Sequence, residues 1–230
     1  MQTDARTHEM AGAIVLASHH PAPELLWSPV AGRPLLAWSV AACAATPEIA
    51  ETLLIVPEDW LAEAQSLVEV QQWARVRVLP EGRRLRESVE VGLRALDPAL
   101  AWVVIHEAAR PLVTPALFAA ALDLAQRTDA GVITGGPVKE TVKRLRDGLV
   151  VETLPRERMV RAQTPYVFSR ERLLAAHASL PPNPDIPDEA TLALAAGLPL
   201  RVLPGAPDNI RVTSAADLAV IAALVAGRAS

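Results

Sequence analysis

The stretch VIHEAARPLV, residues 104–113, begins like a buried strand and ends like something else. Val104 and Ile105 belong to the apolar run WVVIH (102–106), and the chain then places His106, Glu107 and Arg110 within five positions before Pro111 closes the segment. A continuous run of Val and Ile fits a strand covered on both faces, as in a parallel sheet. In open α/β sheets, ligands bind beyond the carboxyl ends of the strands. A carboxylate at such an end can hold Mg2+, and an arginine can pair with the carboxylate or with a phosphate. A solvated rim would use the same residues.

Working outward, similar runs recur: AIVLA (13–17), ETLLIVP (51–57), VRVLP (76–80) and GVITGG (131–136). Most are followed by Ala- and Leu-rich segments of helical period, namely 34–45, 59–70, 86–96 and 114–127. The last opens with Thr114 as a candidate N-cap and Pro115 at the first helical position. This alternation predicts an α/β fold of Rossmann-like, doubly wound type, with a mostly parallel sheet and helices on both faces. At 138–154 the pattern changes. TVKRLRDGLVVET roughly alternates polar and apolar residues around Asp147-Gly148, the dipeptide of a tight hairpin turn. A protruding β-hairpin arm is therefore expected, followed by a helix near 170–178, a Pro-rich loop at 180–187, a helix from Asp188, a strand at 200–204 and a helix from Ser214. With no repeat or linker, residues 1–230 read as one domain.

The totals narrow the function. The chain of 230 residues is 51% hydrophobic and 21% charged, an ordinary globular mixture. A net charge of −4 argues against nucleic acid as a partner. The seven-residue run AGAIVLA is too short for a membrane span, and the lone Cys43 fits a reducing, cytoplasmic setting.

The ionisable segments also carry a resemblance. HEAARP (106–111) resembles the DAARP signature of the cytidylyltransferases that act on 2-C-methyl-D-erythritol 4-phosphate, a signature largely shared by ribitol-phosphate cytidylyltransferases. PVKETVKR (137–144) is similar to that family's PV-x-DT-x-KR, and RERMVRAQTPYVF (156–168) to its R-x-x-[LM]-x-x-AQTPQ-x-F. DEAT (188–191) resembles TDDAS, and DNIRVTSAADL (208–218) resembles NIKVT-x-x-DL. The resemblance implies transfer of a cytidylyl group from CTP to a small sugar-alcohol phosphate, with Mg2+, by a homodimer joined through the hairpin arm. It implies catalytic roles for Glu107, Arg110 and Arg211, with Glu107 also a metal ligand. Thr141, Arg156 and Thr164 would hold the acceptor phosphate, while Ala17, Gly82, Ser88 and Ala108 would border the nucleotide.

Two segments depart from the family. EGRRLRESV (81–89) matches the cytosine-side GG-x-x-R-x-x-SV only in part, with Glu81 replacing a glycine and Leu85 an arginine. The family's triphosphate loop, AAG-x-G-x-R with a following PKQ, corresponds here to LASHHPAPELLWSPVAGRPLL (16–36). No glycine lies between Val15 and Ala31, and no Lys or Arg precedes Arg33 in that stretch. His19 and His20 are candidates to supply charge there, or to bind metal with His106, or they are simply loop residues. Two classes of function remain open on this reading. One is a working transferase for methylerythritol phosphate or another sugar-alcohol phosphate, and the other is a noncatalytic relative that keeps the acceptor half.

Overall fold

The structure, a computed structural model, describes residues 9–179 and 186–228. The Pro-rich stretch expected at 180–187 therefore lies mostly outside the described residues. The elements follow in chain order: β1 (Ala11–Leu16), β2 (Pro29–Val30), β3 (Arg33–Pro34), α1 (Leu35–Ala44), β4 (Ile49–Val56), α2 (Leu61–Val70) and β5 (Val76–Pro80). Then come α3 (Leu85–Ala95), β6 (Trp102–Glu107), α4 (Pro115–Thr128), β7 (Gly131–Pro137), β8 (Lys143–Arg146) and β9 (Leu149–Thr153). The chain continues through β10 (Val160–Ser169), α5 (Arg170–Ser179), α6 (Glu189–Ala195), β11 (Leu200–Pro204) and α7 (Ala215–Arg228).

The main sheet has seven strands in the order β11-β7-β10-β6-β1-β4-β5. β1 pairs in parallel with β4 and β6, β4 with β5, and β7 with β11. β10 runs antiparallel to both β6 and β7. The alternation along β1 explains the two layers, because successive side chains point to opposite faces. Ala13 and Val15 pack with α1, α4 and α7 through Leu35, Phe118 and Ile221. Ile14 and Leu16 pack with α3, α5 and α6 through Leu93, Leu173 and Leu192. Thr114 caps α4 as its sequence suggests, its hydroxyl accepting from the Leu117 amide at 3.3 Å, with Pro115 next. Among the described residues no helix is long and apolar enough to cross a membrane.

The arm is a separate two-stranded sheet of β8 and β9. Its turn takes left-handed backbone at both Asp147 (φ 50°) and Gly148 (φ 79°), as a two-residue turn of this kind requires. The one main-sheet strand without a sequence assignment is β10. Its first three residues are exposed and the next six buried, so it overhangs the sheet at one end and crosses its centre at the other.

Gly92, in α3, lies against β1 so closely that an added Cβ would sit 2.7 Å from Ile14 Cδ1. Gly92→Val therefore overpacks the seam between helix and sheet. We expect a loss of about 1–3 kcal/mol, or a thermal midpoint lower by roughly 2–4 °C per kcal/mol, measured by scanning calorimetry.

Candidate active site

A cavity of about 310 Å3 opens at the carboxyl end of β1 and β6. Ser18, His19 and His20 line it from the loop after β1, Glu107 and Arg110 from the segment after β6, and Arg211 from the approach to α7. Sheet geometry explains the convergence. The Ala108 amide donates to Leu16 O at 2.9 Å, so the chain after β6 stays beside the chain after β1. The Val212 amide donates to Ala109 O at 2.9 Å and brings Arg211 to the same place.

Glu107 is the electrostatic centre. One carboxylate oxygen accepts from Arg110 Nε at 2.7 Å, and the other lies 2.9 Å from Arg211 Nε. The two arginines differ in freedom. Arg110 is buried, and its Nη1 donates to Asn209 O at 3.0 Å, whereas the Arg211 side chain is 39% exposed. Behind them lies a buried polar network. The Glu107 amide donates to Thr164 Oγ1 at 3.0 Å, that hydroxyl meets His106 Nδ1 at 3.1 Å, and His106 Nε2 faces Arg110 O at 3.4 Å. Asn209 Nδ2 donates to Thr164 O at 2.8 Å, and Ser39 Oγ donates to the carbonyls of Ala108 and Arg110, both at 3.0 Å. His106 is fully buried beside the edge of Phe118. Burial, with Arg110 nearby, pushes its pKa down to about 3, so the ring is neutral at ordinary pH.

The wall opposite is acidic. Asp188 Oδ1 caps α6 by accepting from the Thr191 amide at 2.8 Å, while Oδ2 accepts from the Tyr166 hydroxyl at 3.0 Å. Burial, reinforced by Asp188, holds the Tyr166 phenol far above its usual range. Glu189 is buried beside it, and desolvation pushes its carboxyl up to about 8. In the segment before α3, Gly82 presses on the start of that helix, where a Cβ would come within 2.8 Å of the Ser88 amide. Its own amide donates to Ser88 Oγ at 2.9 Å.

With this geometry in view, comparison with known proteins is decisive. The family model described as 2-C-methyl-D-erythritol 4-phosphate cytidylyltransferase matches residues 19–227. The chain belongs to that family. An enzyme of the same name from Cereibacter sphaeroides is 39% identical over 194 residues, covering 84% of each chain. The one from Dehalococcoides mccartyi is 33% identical over 217 residues, 92% of this chain and 94% of that one. Among solved structures, the 4-diphosphocytidyl-2C-methyl-D-erythritol synthase of Anaerococcus prevotii superposes with a TM-score of 0.84 at 25% identity, covering 95% of this chain and 99% of that one. The cytidylyltransferase of Thermus thermophilus gives 0.73 at 28%, covering 93% and 98%.

Of the residues singled out by sequence, Glu107, Arg110, Arg211 and Thr164 come together as one cluster. Ala17 and Ala108 are buried, their amides are already committed to Ile55 O and Leu16 O, and like Gly82 and Ser88 they lie outside the cavity lining. Ser88 is buried and meets His19. Thr141 on the arm and Arg156 just after it are exposed and do not line the cavity. Arg156 Nη1 donates to Lys139 O at 2.6 Å there. Among the described residues no group of three or more His, Cys, Asp or Glu side chains converges, so His19, His20 and His106 form no metal cluster. Arg33, the first cation after that loop, stacks on Trp38, 4.7 Å from the ring centre. Asn209, Ser39 and Tyr166 emerge only from the structure. Asn209 lies inside a recognised motif, but an isolated Asn carries no signal of the carbonyl it will meet.

The depressed pKa of His106 has a signed consequence. The unfolded chain takes up a proton near the ordinary value of 6.5 while the folded chain resists it down to about 3. Stability is therefore lost as pH falls through that window, by roughly 1.4 kcal/mol per pH unit for such a group. His177, pushed down to about 4 by burial and Arg86, acts in the same direction, whereas Glu189 acts oppositely from about 8 downward. Urea titrations from pH 7 to pH 4 should show a shallower acid slope for His106→Gln than for the unaltered protein.

Proposed function

We propose that this chain transfers the cytidylyl group of CTP to 2-C-methyl-D-erythritol 4-phosphate and releases pyrophosphate, a step of non-mevalonate isoprenoid precursor synthesis. The observation that carries the reading is the Glu107–Arg110–Arg211–Thr164 cluster, facing a cavity in a chain matched by this family over residues 19–227. Relatives bearing this enzyme's name cover most of the chain, which favours it over a noncatalytic role and over ribitol phosphate as acceptor.

The acceptor phosphate loses its second proton near pH ~6, so it is mostly dianionic at neutral pH and needs no strong base. Its oxygen attacks the α-phosphorus of CTP. A new P–O–P link forms, the bond to the β-phosphate bridge breaks, and pyrophosphate leaves with the electron pair. The protein supplies position and countercharge. Arg110, buried and doubly tied, fixes Glu107. Arg211 is the mobile cation, able to exchange Glu107 for an incoming phosphate. Thr164 serves the same phosphate by turning its hydroxyl from His106. We assign Gly82 and Ser88 to the cytosine side, and Ala17 and Ala108, buried behind the cavity lining, to the backing of the ribose and phosphate sites.

The donor set for a resident metal is thin, because Glu107 is one carboxylate whose two oxygens already accept from guanidinium groups. Mg2+ takes most of its ligands from phosphate and water in such sites. We therefore assign the ion to the substrate, as Mg·CTP, with Glu107 the carboxylate nearest to it.

Assembly completes the reading. Leu145, Leu149, Val150 and Val151 on the arm are 49–70% exposed, more apolar surface than a free hairpin should offer to water. We assign the arm to a cytoplasmic homodimer in which Thr141 and Arg156 reach the partner's acceptor phosphate.

Pyrophosphate release from CTP, dependent on methylerythritol phosphate, should be measurable with the unaltered protein, and its absence overturns the assignment. Light scattering at micromolar concentration should give a dimer mass, and a monomer overturns the role of the arm. Arg156→Ala should raise the KM for the acceptor about tenfold, the usual effect of one lost charge-assisted contact, while the KM for CTP stays unchanged.

A further inference from the structure

The donor loop carries an arrangement that the family motifs do not explain. Between Ala17 and Trp27 there is neither Gly, Lys nor Arg, yet Ser18, His19 and His20 all line the cavity. Ser18 is 7% exposed, and its hydroxyl oxygen is buried without a hydrogen-bond partner. His19 holds φ 53°, the left-handed conformation that glycine adopts freely and other residues take only at a cost. The turn of a glycine loop is thus made here by a side chain that can carry charge.

The two histidines are not equivalent. His20 Nε2 donates to Val212 O at 2.7 Å, and the Ala22 amide donates to its Nδ1 at 3.1 Å, so both ring nitrogens are held by backbone. It is a brace between the donor loop and the segment carrying Arg211. His19 Nε2 lies 3.2 Å from Ser88 Oγ and 3.6 Å from Glu81 Oε2. That carboxylate oxygen is itself buried and makes no hydrogen bond. A buried, unpartnered carboxylate oxygen is unfavourable beside a neutral ring and favourable beside an imidazolium. Glu81 stands where the family has glycine, so the loop and the cytosine-side segment depart from the pattern at residues that face each other.

We propose that His19, backed by Glu81, is a polyphosphate-binding residue of the donor site, supplying as imidazolium a positive charge that this loop lacks in Arg or Lys. With Nε2 directed to Glu81 and Ser88, Nδ1–H donates to a β- or γ-phosphate oxygen, and the Ser18 hydroxyl donates beside it. The proposal rests on the cytidylyltransferase reading, which makes a nucleoside triphosphate the ligand.

Calorimetric titration with CTP and with CMP, each with magnesium, separates this role from a structural one. His19→Asn keeps a residue that tolerates the left-handed backbone and removes the charge. It should weaken CTP about tenfold, the usual effect of one charge-assisted contact, while leaving CMP affinity and the KM for the acceptor unchanged. Glu81→Gln, which leaves the loop backbone alone, should shift CTP in the same direction by a smaller factor. Equal losses for CTP and CMP, or no loss for either in the folded variants, overturn the proposal. Turnover with an unaltered KM for CTP in His19→Asn overturns it too, while the enzymatic reading stands. His19-dependent CTP binding without any product from methylerythritol phosphate supports the proposal while that reading fails. If the unaltered protein binds neither nucleotide, both fall.

Discussion

The ion pair between Glu107 and Arg110 is the constraint around which the site is built. At 2.7 Å, with side chains only 24% and 11% exposed, it is held where water screens little. Removing one partner from such a pair leaves an uncompensated charge and typically costs about 3–5 kcal/mol. The surrounding structure keeps the geometry good enough to offset desolvation. Asn209 O receives the free arm of the guanidinium, and Ser39 clamps the carbonyls on either side of Ala109. Because the pair closes the central strand β6, its position is inherited from β1 on one side and β10 on the other. Arg211 then meets a carboxylate already fixed in place, and it alone of the two cations keeps the freedom to change partners.

Much of this was legible in the chain. Apolar runs gave β1, β4, β5, β6, β7 and β11, most plainly β1 and β6, whose residues are buried on both faces of the sheet. Asp147-Gly148 specified the arm because few other dipeptides accept two left-handed residues. Glu107, Arg110, Thr164 and Arg211 were readable through motif resemblance, and the structure brings these four together. β10 was not readable as a strand. It starts with three exposed residues, Val160, Arg161 and Ala162, carries Pro165 in its middle, and gains its buried half only by crossing a sheet whose other strands lie far away in sequence. The absence of glycine from residues 16–30 is plain in the sequence. The left-handed turn at His19 was invisible because it depends on contacts with Ser88 and Glu81, which nothing local announces.

The two halves of the site are mechanically joined at one backbone point. Val212 receives His20 on its carbonyl and gives its amide to Ala109. The donor loop, the segment after β6 and the cation Arg211 therefore share a common support. A displacement of the loop after β1 would be transmitted to Arg211 through short, well-formed hydrogen bonds instead of through mobile side chains.

The strand order also sets a timetable for synthesis. A ribosome that has delivered residues up to Glu107 has released the parallel strands β5, β4, β1 and β6, with β6 as a bare, largely apolar edge. That edge waits for β10 some fifty residues later, and an open edge of this kind invites pairing with other chains. Asn209 and Arg211, which complete the polar network, arrive later still. The Glu107 cluster is among the last parts of the fold to be finished, so a chain cut short before Arg211 leaves the cavity without one side of its lining.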